Sequence, residues 1–349
     1  MKEHQKYMLR CIELAQNGLG QTYPNPMVGC VIVHQGKIIG EGWHRKAGEP
    51  HAEVNAIQSV KDKSKLEHAT IYVSLEPCSH YGKTPPCCDL ITAHKIPNVV
   101  VGTIDSFAQV SGRGIRKLKE AGKNVIVGIL ENECRNLNKR FFTFLEKKRP
   151  YIILKWAESA DGFLAPSQKN KQEPVWLSNQ FSRQLVHKWR TEEQSILVGT
   201  QTVLDDNPKL NVRDWSGTSP IRVIFDRTGR ISENFSVKDR RVKTIVFTEL
   251  ENLISDENLI YETIIFDEFL TENVMEILYL YGIQSIIIEG GKKTINSFLK
   301  AGLWDEARIF KSNLFLNEGV STPDFQYTKT PILRSRILKD ELLIFQNHD

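Results

Sequence analysis

Hydrophobic positions along this chain switch between two periods, and the switches mark out its elements. Met8, Cys11, Ile12, Ala15 and Leu19 recur at helical spacing with charges between them, which predicts an amphipathic opening helix. The apolar runs at 28–33 and 37–40, parted by His34, Gln35 and Gly36, predict a β-hairpin. A loop over 41–50 leads into a helical pattern that opens at His51–Ala52–Glu53. Residues 69–75 form a short β-branched run and hence a strand. Pro85 and Pro86 punctuate before a helix over 87–95, a strand over 98–102, a helical stretch around 114–121 and a strand over 124–129. Strand alternating with helix is the signature of a mostly parallel sheet covered by helices, an α/β fold.

Between 132 and 149 the composition turns charged and aromatic, and the stretch closes on Pro150. A boundary is expected there, with domains at 1–147 and 148–349. The length of 349 residues calls for two cores in any case. Beyond the boundary the alternation restarts, with strands at 151–156, 195–199, 221–226, 243–248, 262–266 and 284–289. Helices are expected at 178–192 and 292–301, and a loop over 199–213.

Composition narrows the partners. Hydrophobic residues make up 40% and charged residues 25%, as in ordinary folded chains. The net charge of +4 admits an anionic small molecule, but Lys and Arg are interleaved with Asp and Glu. Nucleic-acid binding would call for a basic stripe. No stretch approaches the ~18 to 20 apolar residues of a membrane span, and the charges in the opening helix argue against a signal peptide. These features predict a cytoplasmic protein with neither nucleic-acid nor membrane partners, and they are compatible with a homo-oligomer. Of the six cysteines, three crowd at 78, 87 and 88, which points to metal binding and away from a disulfide framework.

The chemistry-bearing pattern is His51-Ala-Glu53 followed by Pro77-Cys78 and then Cys87 and Cys88. This is the H-x-E…P-C…C arrangement of zinc-dependent nucleobase deaminases. One imidazole and two thiolates hold Zn²⁺ and leave a fourth position open. The metal brings the pKa of water toward neutrality. Glu53, two residues from His51 and not itself a ligand, can take the water proton and deliver it to the ring nitrogen and the departing ammonia. Both cysteines are expected just before or at helix starts, where the macrodipole favours thiolate. A closed zinc knuckle with Cys88 or His80 as fourth ligand is the alternative, and H-A-E at a helix start argues against it. Spacing leaves open which of Cys87 and Cys88 binds.

Eight residues separate the cysteine positions in LEPCSHYGKTPPCC, where most deaminases of this type have two. Together with TYPNPMVGCVIV and GWHRKAGEPHAE, that segment closely resembles the deaminase half of the bifunctional riboflavin-biosynthesis deaminase–reductase family. The resemblance implies a cytidine-deaminase-like fold, with Cys87 joining His51 and Cys78 on the zinc and Glu53 catalytic. It further implies that Asn25, His44, His80 and Lys83 line the substrate site. An amide at Asn25 can read a pyrimidine edge, and His44, His80 and Lys83 suit a ribose phosphate.

In the second half, QSIIIEGGKKT reads as a buried strand running into Gly290–Gly291 and a helix, a turn that lets backbone N–H groups approach a phosphate. By spacing alone a plain tight strand-to-helix turn is the favoured reading. RPYIILKWAESADG, WLSN, SILVGTQTVLDDNPKLNVR and IIIEGGKKT together resemble the reductase half of the same family, with its dihydrofolate-reductase-like fold and NADPH. The resemblance implies cofactor contacts from Ala157, Trp176, Thr202, Asp206 and Gly291. It implies substrate contacts from Arg190, Leu210, Arg213 and Glu289, the arginines being suited to a phosphate. Lys155, a cation on an otherwise apolar strand, joins the cofactor group as a candidate active-site donor. Three departures stand out: Pro174 replaces a usual Ser, the loop 165–173 is longer, and 309–325 differs from the commoner version.

The implied reactions are consecutive. The first half would remove the 2-amino group of 2,5-diamino-6-ribosylamino-4(3H)-pyrimidinone 5′-phosphate, and the second would reduce ribosyl to ribityl with NADPH. Two rivals fit less well. A nucleic-acid deaminase calls for the short cysteine spacing and a basic face, and neither is present. A zinc-stabilised binding protein with a spent reductase half has no use for Glu53, although the departures keep it open for that half.

Overall fold

The computed structural model describes residues 2–81, 85–106, 112–168, 171–327 and 330–347. The chain divides into two compact units, Met1–Lys148 and Arg149–Asp349.

The first unit runs α1 (Lys2–Gln16), β1 (Gly29–His34), β2 (Lys37–Trp43), α2 (Ala52–Ser59), β3 (Thr70–Leu75), α3 (Cys87–Ala93), β4 (Asn98–Thr103), α4 (Arg113–Glu120), β5 (Asn124–Val127), α5 (Glu131–Leu137) and α6 (Lys139–Lys147). Its sheet has the order β2-β1-β3-β4-β5. β1 is antiparallel to both neighbours, while β3, β4 and β5 are parallel. Gln35 and Gly36 both have left-handed backbone (φ 50° and 72°), the hairpin geometry that matches strand twist. Strand alternation sends Cys30, Ile32, Ile71 and Val73 into a core with Ala52, Ala56, Cys88 and Leu118. Val31, Val33 and Tyr72 face a second core with Met8, Cys11 and Cys134. Helices therefore cover both faces of the sheet.

The second unit runs β6 (Tyr151–Glu158), β7 (Phe163–Ala165), α7 (Gln180–Glu192), β8 (Ser195–Gly199), α8 (Thr200–Asp206), β9 (Ile221–Phe225), β10 (Thr244–Thr248), β11 (Leu259–Thr263), α9 (Leu270–Leu280), β12 (Ser285–Ile288), α10 (Lys292–Lys300), β13 (Glu306–Lys311), β14 (Val320–Ser321), β15 (Leu333–Ile337) and β16 (Asp340–Gln346). The nine-stranded sheet has the order β11-β10-β9-β8-β12-β6-β13-β16-β15. From β11 to β13 every pairing is parallel, and β16 and β15 add antiparallel. The four residues of β12 are all buried, as a central parallel strand requires. The carboxyl ends of β8, β12 and β6 lie side by side, the place where open α/β sheets bind ligands.

Several elements differ from the sequence expectation. The stretch 199–213, expected as a loop, contains α8, whose Val203 is anchored in the core. The strand expected at 262–266 is β11, ending at Thr263. The charged segment before Pro150 is helical, and Arg135 stacks 4.2 Å over the Phe142 ring within it.

Two candidate active sites

In the first unit the chain leaves β3 through Glu76 and Pro77 to Cys78, while α2 and α3 start beside that loop. His51 is the N-cap of α2, and its ring makes no capping hydrogen bond. Its Nδ1 stands 3.7 Å from Cys78 Sγ and 3.4 Å from Cys87 Sγ. All three donor atoms lie within 4.8 Å of one another. Tetrahedral zinc with ordinary Zn–S and Zn–N bonds would set N···S edges of about 3.6 Å, between the two observed values. The donor set fits zinc.

Cys87 opens α3, and its backbone N–H donates to Cys78 Sγ at 3.3 Å. Hydrogen bonding by Cys87 pulls the Cys78 thiol down to about 4 against burial, with His51 assisting, and the same bond pushes Cys87 up. Cys78 itself stands in the loop after β3 and not at a helix start, so the macrodipole expected at both cysteines belongs to Cys87 alone. Cys88 turns away: its Sγ donates to the carbonyls of Pro77 (3.3 Å) and Gly114 (3.5 Å), and burial pushes its thiol up to about 12. His80 is exposed and outside the cluster.

Glu53 lies in the first turn of α2 and is 3% exposed. Its Oε2 has no hydrogen-bond partner among the described residues. Burial, with the nearby Cys78 charge, raises its carboxyl above the usual range. Buried polar atoms are almost always satisfied, so an orphan oxygen beside three metal donors suits an acid that hands protons to a bound group. Asn25 Nδ2 donates to His44 Nε2 at 3.1 Å, which places the ring proton on Nδ1, 3.2 Å from the Pro50 carbonyl. Burial lowers the His44 pKa. The His44 and His51 rings meet edge-on at 5.5 Å. Asn25 and His44 are thus beside the zinc donors; Lys83 lies outside the described residues.

In the second unit, Glu289 follows β12 and gathers two cations. Arg190 Nη2, from the last turn of α7, is 2.9 Å from Glu289 Oε2, and Lys155 Nζ, from β6, is 3.7 Å from Oε1. Burial would raise Glu289, but Arg190 and Lys155 outweigh it and hold the carboxyl down to about 2. Burial lowers Lys155 in turn. Arg190 Nη1 also donates to the Asn211 carbonyl at 3.1 Å, and the exposed Arg213 donates to Asn211 Oδ1 at 2.8 Å. Leu210, buried with φ 50°, makes the turn that presents Asn211. Arg190, Arg213, Glu289 and Lys155 are therefore linked, and Lys155 joins the expected substrate residues through Glu289.

Of the expected cofactor residues, Thr202, Gly291 and Ala157 lie at or just beyond the ends of β8, β12 and β6. Gly291 is the N-cap of α10, and its N–H donates to Thr202 Oγ1 at 3.0 Å. A Cβ on Gly290 would come within 2.7 Å of Thr294 Cβ, so the turn is too tight for a side chain there. Strand-to-helix turns of this kind are where nucleotide phosphates commonly bind. Asp206 closes α8, and Ala157 sits two residues from Lys155 on the same face of β6. Trp176 is 51% exposed, with the Arg183 guanidinium 4.4 Å over its ring.

Sequence reasoning missed three residues. Glu76 accepts four backbone N–H bonds beside Cys78. His187 Nδ1 accepts the Arg213 amide at 3.1 Å, and Asn211 joins the two arginines. Only His187 carried a signal: it precedes Arg190 by three positions on a helix and so shares its face.

The two units define a zinc-site deaminase module and a reductase module. Residues 1–103 match the family of the cytidine and deoxycytidylate deaminase zinc-binding region, and 150–328 match the RibD C-terminal domain. The riboflavin biosynthesis protein RibD of Aquifex aeolicus is 40% identical over 322 residues, covering 91% of this chain and 89% of the relative. RibD of Escherichia coli is 36% identical, covering 87% and 86%. A Thermotoga maritima crystal structure of a diaminohydroxyphosphoribosylaminopyrimidine deaminase/5-amino-6-(5-phosphoribosylamino)uracil reductase superposes with a TM-score of 0.88, 36% identity and 99% coverage of both chains. The chain belongs to the RibD family of riboflavin biosynthesis proteins. It unites a zinc-dependent deaminase with a cytidine-deaminase-like fold and an NADPH-dependent reductase with a dihydrofolate-reductase-like fold.

Proposed function

We propose that the first unit deaminates 2,5-diamino-6-ribosylamino-4(3H)-pyrimidinone 5′-phosphate and the second reduces the product's ribosyl group to ribityl. The observation that carries this reading is the junction of His51, Cys78 and Cys87 with the orphan oxygen of buried Glu53. Zinc held by those three residues supplies a Lewis acid that brings the pKa of water to about 7. Glu53 Oε2 holds the proton taken from water and passes it to the ring nitrogen and the departing amine. Asn25 and His44 orient the ring, and His80 and Lys83 are the candidates to pair with the phosphate. The like function of the Thermotoga protein supports the substrate.

In the second unit NADPH supplies a hydride, and Thr202, Asp206, Trp176, Ala157 and Gly291 hold it. Arg190 and Arg213 take the substrate phosphate, since guanidinium forks match its geometry. Leu210 shapes that pocket. Lys155 Nζ, whose pKa burial lowers and so makes a readier acid, donates a proton at the sugar while Glu289 fixes its position. No helix among the described residues is long and apolar enough to cross a membrane. All six cysteines are free, which fits a reducing cytoplasm.

Zinc-loaded protein given the aminopyrimidine phosphate should release ammonia and then consume NADPH. NADPH consumption by the undeaminated substrate, or zinc-loaded protein that releases no ammonia, would defeat this order of reactions.

A further inference from the structure

Glu76 is only 4% exposed, and its carboxylate is fully engaged by backbone. Oε1 accepts the N–H groups of Gly114 (2.8 Å) and Ile115 (3.3 Å), and Oε2 those of Gly112 (2.9 Å) and Asp105 (3.3 Å). Gly112 is the N-cap of α4 and has no side chain to cap it, so Glu76 does so from another element. A carboxylate there also meets the positive end of the helix.

That first turn of α4 touches the carriers of both cysteine ligands. A Cβ on Gly114 would come within 2.1 Å of the Pro77 carbonyl oxygen, so the loop backbone lies directly on the helix. Cys88 Sγ donates to both the Pro77 and Gly114 carbonyls, and Cys88 N–H donates to the Cys78 carbonyl at 3.2 Å. Further along α4, Lys117 pairs with Asp89 of α3 at 2.5 Å.

We propose that the start of α4, gripped by Glu76, is a brace that holds Cys78 and Cys87 at zinc-binding separation, with Glu76 and Gly114 as positioning residues of the deaminase site. The inference rests on His51, Cys78 and Cys87 being the zinc ligands. Cys78 comes from a loop, which has no ladder of its own to fix it. The Glu76 and Gly114 contacts supply that rigidity through the Pro77 backbone, without touching the metal donors.

Zinc release from the loaded full-length chain to a chromogenic chelator tests it. Glu76→Gln removes charge and one acceptor at unchanged size, and Gly114→Ala drives a methyl against Pro77. Both should release zinc at least about tenfold faster, the lower end of what outer-shell changes do to metal affinity. Excess zinc should restore deaminase kcat, and reductase kcat and KM should stay at wild-type values. Release at the wild-type rate from either folded variant overturns the brace, as does a deaminase loss that persists with zinc bound. If Glu76→Gln does not fold, Gly114→Ala decides alone. Cys87→Ser runs in parallel: zinc retained there overturns the ligand reading itself, separately from the brace.

Discussion

At the scale of single residues, the deaminase site turns on what each side chain gives up by being buried. Glu53 has no partner for Oε2 among the described residues, which suits the proton transfer proposed for it better than a packing role. Glu53→Gln should keep bound zinc and lose deamination by roughly 10²- to 10⁴-fold, as for other general acid–base groups; ammonia release within tenfold of wild type would remove it from that role. The adjacent cysteines make an internal comparison. Cys87→Ser should strip zinc and activity, whereas Cys88→Ser should keep both, because a hydroxyl can still donate to the Pro77 and Gly114 carbonyls. Metal analysis of the two variants checks the assignment, and the reverse pattern would sink it. His51, Glu53 and the Cys87–Cys88 pair were legible at helix starts that local pattern announces, but the choice of Cys87 over Cys88 came from the family resemblance and not from spacing. Glu76 was not legible. Its partners lie 29 to 39 positions away, and nothing local distinguishes it from a surface glutamate.

At the scale of elements, α7 shows how one helix can make a site sensitive to acid. It carries Arg190 and His187 on one face, against Glu289 and the 211–214 turn. Burial, then Arg190 and Arg213, pushes His187 from its ordinary 6.5 to about 4, so folding favours the neutral ring. Stability from that preference is complete above 6.5 and drains away as pH falls toward 4. Glu289 works in the same direction lower down: its carboxyl sits near 2 in place of 4.5, so its contribution is lost as pH falls through that interval. Urea midpoints of the second unit should therefore drop from about pH 6.5 downward, through His187 until about pH 4 and through Glu289 below about 4.5. Tryptophan fluorescence can follow this, since five of the six tryptophans lie there. In His187→Asn, whose amide can still accept the Arg213 N–H, the upper part of the drop should vanish; an unchanged profile would acquit the histidine. The helix α7 was readable from its period. The helix α8 was not, because Thr200, Thr202, Asp205 and Asp206 are weak helix formers and only tertiary anchoring of Val203 decides the matter. The C-terminal strands β15 and β16 went unread for a related reason: β15 is almost wholly exposed and shows no alternation to detect.

At the scale of the whole molecule, the two activities should fail separately. Every deaminase residue proposed lies in the first unit and every reductase residue in the second. Removing zinc should abolish ammonia release and leave NADPH oxidation with deaminated substrate intact. Arg213→Ala should do the converse, raising reductase KM about 10- to 150-fold for a lost charge-assisted contact worth about 1.5 to 3 kcal/mol, with deaminase rates unchanged. Parallel steady-state kinetics would show it, and a shared loss would mean the units do not act independently. The strand order of the second unit carries one more consequence, for the moment of birth. Its first strand, β6, is a central one, with Tyr151 matched to Ser285 and Ile153 to Glu306. During synthesis at about 5 to 20 residues per second, β6 leaves the ribosome long before either neighbour exists. The first unit has all its partners in hand by then and can already take up metal. Arrested nascent chains should thus become protease-resistant up to Lys148 while β6 is still digestible, and the newborn protein can deaminate before it can reduce.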